Sequence, residues 1–157
     1  MSFEEFEKNV TVIQGKPMRD LRERYISTFI NEDMEHYKKY ILNLTLCSDG
    51  FCYAGYLWDC LKTYTVIKEN EVFDFLYHCP NSVYVFWDIN SKDRIFIKDY
   101  WRFDKGAMLE VTPKLLPDNY KYLPEDIYIF DDSFNWTYIL THEDKDGGRL
   151  CAKSEAI

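Results

Sequence analysis

The residues of this chain best placed to do chemistry lie in one run, DIYIFDDSFNWTYILTHE, residues 126–143. Asp131 and Asp132 stand between two strand-like stretches, and Thr141-His142-Glu143 closes the second. Two carboxylates from neighbouring strands can hold a hard cation, and a following lysine can position or activate water. Asp131 or Asp132 with Glu143 and Lys145 has that outline, which makes a metal-dependent nuclease the enzymatic alternative. Against it, Lys145 falls within DKDGG, where a turn explains it. The net charge of −8 also repels a phosphate backbone.

Other catalytic outlines are thinner. Besides His142, the histidines are His36 and His78. A regular strand sends Thr141 and Glu143 to the face opposite His142, so no local nucleophile–base pair forms there. No GxSxG, glycine-rich phosphate loop or dinucleotide fingerprint is present. Cys47, Cys52, Cys60, Cys79 and Cys151 lack paired zinc spacing, and an odd count at irregular spacing argues against a disulfide framework. No metal or cofactor is expected, and the cysteines read as reduced. Segment 91–105 interleaves five basic residues with Phe96, Tyr100, Trp101 and Phe103. Three aspartates dilute its charge, so nucleic-acid binding is disfavoured.

The same acids fit a docking role. Asp131, Asp132 and Ser133 can fold back on their own backbone as a turn, which accounts for one aspartate. Two adjacent aspartates repel each other, and residues 110–144 carry eight acids against two lysines. Such a concentration suits a partner with a basic surface. Charge then speeds association while buried aromatics supply most of the energy. The partner-binding candidates are Asp131, Asp132, Glu143 and Asp144, with Tyr120, Tyr122, Tyr128 and Phe134 as anchors.

The elements that would position these residues follow from periodicity. Residues 1–16 are an acidic lead-in whose Val10–Ile13 run is an edge strand or a loose arm. Residues 17–79 read as mainly helical. Pro17 starts a helix with Leu21, Tyr25, Ile26, Phe29 and Ile30 at helical spacing and Arg22 on the charged face. Asn31 is a cap for a second helix. FCYAGYLWDCLKTYTVI is almost continuously apolar, with Tyr56, Cys60 and Tyr64 at fourfold spacing. A short helix follows Asn70 and stops at Pro80. From residue 80 to 154 the period changes to 2: SVYVFWDI, RIFIKDYW, DIYIF, WTYILTH and RLCAK read as antiparallel strands. In WTYILTH, the Trp136-Tyr138-Leu140 side fits a covered face, and the Thr137-Ile139-Thr141 side tolerates partial exposure.

Residues 124–151, PEDIYIFDDSFNWTYILTHEDKDGGRLC, together with the size and acidity of the chain, resemble small bacterial immunity proteins encoded beside polymorphic or contact-dependent toxins, and related uncharacterised bacterial domains. The resemblance implies a one-to-one inhibitor that covers the active region of a cognate toxin. Asp131 and Asp132 would pair with toxin Lys or Arg, and Glu143 and Asp144 would widen the patch. No catalytic residue is carried over.

The expectation is one α+β domain over 1–157, with two or three N-terminal helices on a four- or five-stranded antiparallel sheet. Its function is non-catalytic protein binding, as an immunity protein in its most concrete form. The alternatives are the nuclease and a structural or regulatory subunit. The acidic start and the lack of a long apolar run point to a cytoplasmic chain that meets no membrane. The aromatic surplus of 13 Tyr, 11 Phe and 4 Trp would also serve self-association.

Overall fold

A strand buried at every position needs cover on both faces, and Ile127–Phe130 is such a strand. The computed structural model describes residues 1–90 and 98–157 and supplies that cover. Among the described residues, nine strands run in chain order: β1 (Val10–Ile13), β2 (Thr45–Cys47), β3 (Gly50–Cys52), β4 (Thr65–Ile67), β5 (Val83–Trp87), β6 (Met108–Val111), β7 (Ile127–Phe130), β8 (Trp136–Lys145) and β9 (Gly148–Glu155). Seven form one sheet in the order β1-β6-β5-β7-β8-β9-β4, and β2 pairs only with β3. All pairings are antiparallel.

The helices are α1 (Phe3–Lys8), α2 (Gly15–Phe29), α3 (Glu35–Tyr40), α4 (Glu69–His78) and α5 (Leu116–Asn119). Phe6, Val72, Leu76 and Leu116 cover the sheet face made by Val85, Trp87, Ile127, Ile129 and Leu140. On the opposite face, Phe86, Tyr128, Phe130 and Ile139 pack under Tyr25, Ile26 and Phe29 of α2, Tyr37 of α3, and Leu57 and Cys60. Each fully buried side chain of this size contributes about 1.5–3 kcal/mol, so the α2 trio alone anchors that layer.

The α+β class is as expected, but the arrangement is broader than two or three N-terminal helices on four or five strands. The sheet has seven strands because β1, β4 and β6 join it. The lead-in supplies α1, whose Ser2 and Glu5 form a reciprocal capping box, and β1, an edge strand against β6. Residues 17–79 contain three strands as well as helices. The first half of the RIFIKDYW run, from Arg94, lies outside the described residues, as does Lys92 before it.

Three local expectations change. Residues Leu57–Cys60 make one tight helical turn, so Tyr56, Cys60 and Tyr64 do not stack, and Tyr64 is exposed. Asn31 turns its side chain to the Asp33 amide and leaves Met34 at the start of α3. Cys47 and Cys52 are joined across the β2–β3 hairpin, whereas Cys60, Cys79 and Cys151 are free. No helix among the described residues is long and apolar enough to cross a membrane.

Candidate functional site

Strand β8 is ten residues long, and its length separates residues that look adjacent in sequence. Asp131 and Asp132 precede it at one end, and Glu143, Asp144 and Lys145 finish it at the other. At 3.2–3.4 Å per residue the two groups are roughly 25 Å apart. They form neither one acidic patch nor one cation site. Among the described residues, no group of three or more His, Cys, Asp or Glu is arranged to hold a metal.

The 131–135 turn is accounted for locally. The Asp131 carboxylate accepts from both the amide and hydroxyl of Ser133, and Ser133 Oγ accepts from the Asn135 amide. Phe134 has φ 54°, in the left-handed region that costs an ordinary side chain about 1 kcal/mol. Its ring offsets this by packing 5.2 Å from Phe130 with the Arg24 guanidinium 4.2 Å above it. Asp132 is exposed.

The aromatic anchors do not share a surface. Tyr128 is fully buried and Phe134 nearly so, both in the layer beneath α2. Tyr120 and Tyr122 pack against the other layer. There Tyr120 stacks under Arg149 at 4.9 Å, and the Tyr122 hydroxyl donates to the Met1 carbonyl at 2.8 Å. Both sides of β8 are covered: Tyr138 and Leu140 are buried as expected, but the other side is not partly exposed. Thr137, Ile139 and Thr141 are all buried, because the threonine hydroxyls are satisfied inside. Thr137 donates to the Ile129 carbonyl and meets the Tyr25 hydroxyl, and Thr141 donates to the Leu150 carbonyl.

The richer constellation is at the far end of β8. Its pairing with β9 slips between Leu140 and Asp144: three residues of β8 oppose the single residue Leu150. A bulge of this kind re-aims side chains, and here it removes the strict alternation that separated His142 from its neighbours. The His142 amide donates to Asp126 Oδ1 at 2.9 Å, and its Nδ1 lies 3.0 Å from the same oxygen. Trp58 Nε1 donates to that oxygen as well, at 3.1 Å. Asp126 is only 2% exposed, so these donors replace water around its charge. A carboxylate only accepts, so Nδ1 carries a proton, and in the neutral imidazole Nε2 is then the acceptor. The imidazole lies 5.0 Å from the Tyr56 ring and 6.3 Å from Trp58.

The segment carrying those aromatics is held by a second buried acid. Asp88 Oδ1 accepts from the Tyr53 hydroxyl at 2.5 Å and the Leu57 amide at 3.0 Å, and Oδ2 accepts from the Tyr128 hydroxyl at 2.6 Å. Tyr128 in turn accepts from the Trp58 amide at 2.9 Å. Burial pushes the Asp88 carboxyl up to about 7, against these hydrogen bonds, and the nearby Asp126 adds to the rise. Gly55 lets the segment approach α3, since a Cβ there would sit 2.9 Å from Tyr40 Cβ. Its carbonyl accepts from Asn90 at 2.7 Å.

Just outside this frame lies Asp59. Burial raises its carboxyl, His36 at 3.6 Å draws it down, and Glu143 and Asp126 raise it again. Four carboxylates (Asp59, Asp88, Asp126 and Glu143), two imidazoles and two large aromatic rings thus gather at one end of the sheet. Sequence reading placed Glu143 in a candidate group but missed Asp59, Asp88, Asp126, Trp58 and the role of His142. The residues come from segments 16 to 84 positions apart, and no local spacing marks them. An Asp inside an apolar strand end, as in FWD and EDIYIF, is the one signal that was available.

This chain belongs to DUF4275, a domain of unknown function, whose family model matches residues 4–150. No curated protein and no solved structure matches it.

Proposed function

With that family as the premise, we propose that the chain is a non-catalytic protein-binding module whose partner brings a basic surface to the Asp59–Glu143 end of the sheet. The supporting observation is that Asp59, raised first by burial and drawn down by His36 and His142, also feels the negative charge of both Glu143 and Asp126. Clustered like charge is a standing cost that a docked Lys or Arg relieves. Half-buried Tyr56 and Trp58 lie beside the acids and give a rigid aromatic platform of the kind that dominates binding energy. Immunity to a cognate toxin is the most concrete form of this reading. It rests on the likeness of residues 124–151 and on the ability of an acidic face to imitate a phosphate substrate. The 131–135 turn, whose first aspartate is occupied by Ser133, takes a lesser part.

The test is capture from a lysate of the native host at low salt, followed by purification of the partner and titration at rising ionic strength. The reading expects one stoichiometric basic protein whose affinity falls as salt rises. A partner that is acidic, or indifferent to salt, contradicts it.

The Asp126–His142 geometry favours a second reading. A buried carboxylate that fixes Nδ1 and leaves Nε2 as acceptor is the orienting half of a proton-transfer site. Hydrolysis of a panel of ester, amide and phosphoester substrates, lost in His142→Gln, would support it.

A further inference from the structure

A groove that Tyr53 helps to line has a different chemistry. It lies between α2, the 41–44 segment and the end of β5, with a volume of about 300 Å³, at the lower bound of small-molecule sites. Its walls are largely apolar: Met18, Ile41, Leu42, Leu44 and Ile89 contribute. Leu42 and Leu44 are 59% and 57% exposed, so part of the wall awaits cover.

Two guanidiniums, Arg19 and Arg22, also line it. Met18, Arg22 and Tyr25 follow one another on a single stripe of α2, three to four residues apart, so Arg22 occupies a position that faces inward. It is half-buried, contrary to the charged outer face expected for it. Neither arginine has an ion pair or hydrogen bond to another described residue, whereas Lys105, the remaining cation of the groove, is engaged by Asp49 at 3.1 Å. Arg22 can thus lay its aliphatic stem along the apolar wall and keep its guanidinium at the groove's polar side. Tyr37 and Tyr53 line the groove together with Arg22, and its charge acts on both hydroxyls. On a chain of net charge −8, two cations without a partner among the described residues thus stand next to apolar walls.

We propose that this groove binds a free single-chain carboxylate, an acyl tail against Ile41, Leu42 and Leu44 with its head group on Arg22 and Arg19. This is independent of the docking reading, since it uses none of the Asp59–Glu143 residues.

The test is calorimetric titration of the whole protein with decanoate below its micelle concentration, beside decanol and acetate. Saturable one-to-one binding of decanoate is expected, with decanol weaker by about tenfold or more, the effect of losing a charge-assisted hydrogen bond. Acetate should be weaker still. Arg22→Gln, with thermal unfolding recorded to show that it folds, should bring decanoate down to the level of decanol. Leu44→Gln, on the exposed wall, should weaken both. Equal binding of decanol and decanoate, an unaffected Arg22→Gln, or no saturable decanoate binding would each overturn the proposal. So would binding of phosphatidylglycerol vesicles without binding of free decanoate, which would make this face a membrane surface instead.

Discussion

The two ends of β7 and β8 differ in how their acids are held. At one end, Asp131 and Asp132 are neighbours in sequence; Asp131 is used up by Ser133 two residues away, and Asp132 is left exposed. At the other, Asp126, Asp88 and Asp59 come from distant segments, and the first two are buried and fully engaged by donors from three parts of the chain. Adjacent charges that catch the eye in a sequence are thus the locally explained ones. The acids that organise a site are single residues inside apolar strand ends, where burial without partners would be prohibitive. The turn shapes a hairpin, whereas the far end ties the 53–61 segment, the sheet and His142 together.

Mutations sharpen this contrast. The largest expected effect is at Asp126. Asp126→Ala leaves the His142 amide, His142 Nδ1 and Trp58 Nε1 without their acceptor and should cost about 3 kcal/mol in urea unfolding. A cost below about 1 kcal/mol would mean that the far end is no better organised than the turn. Gly55→Ala should come next. The added methyl must displace Tyr40, at about 1–3 kcal/mol, and should alter the fluorescence of Trp58.

The pH dependence separates the ends further. Asp88 sits at about 7 when folded, against 3.8 ordinarily, so the folded state keeps a proton that the unfolded chain has released. Its contribution is therefore full below about pH 4 and is lost as the pH rises toward 7, with a slope of up to about 1.4 kcal/mol per pH unit. Asp59, also raised, acts in the same direction. Asp88→Asn should flatten the stability profile between pH 4 and 7. The smallest effects belong to the turn: Asp131→Ala should cost about 1 kcal/mol through loss of its two Ser133 hydrogen bonds. Asp132→Asn should stay within about 0.5 kcal/mol.

Much of the fold is legible in periodicity. The Leu21–Ile30 stripe marks α2, the apolar run before Pro80 marks α4, and the alternating runs give β5, β7, β8 and β9. DKDGG supplies a two-residue turn with Asp146 and Gly147 both at positive φ. The three-residue β4 and the short β6 are hidden, because TVI and MLEV are too brief to show a period and gain their place from β9, β5 and β1. Two-sided burial explains the rest of the discrepancy. Once α2 covers the threonine side of β8, Thr137 and Thr141 belong inside, with hydroxyls bonded to backbone carbonyls. The bulge at 141–143 has no local signature, and without it His142 reads as an ordinary strand residue. Of the eight proposed contact residues, Glu143 alone is among those gathered around Asp59 and His142, and Tyr128 serves that end from within as a donor to Asp88.

The most direct test of the central claim is a charge exchange at each end, measured against the captured partner. Asp59→Lys with Glu143→Lys is one variant, and Asp131→Lys with Asp132→Lys is the other. Both sets lie at the surface, and circular dichroism verifies that each folds. The account predicts that the first pair lowers affinity by about a hundredfold or more at low salt, and that the second changes it by less than about threefold. The reverse order would move the interface to the turn and contradict the account.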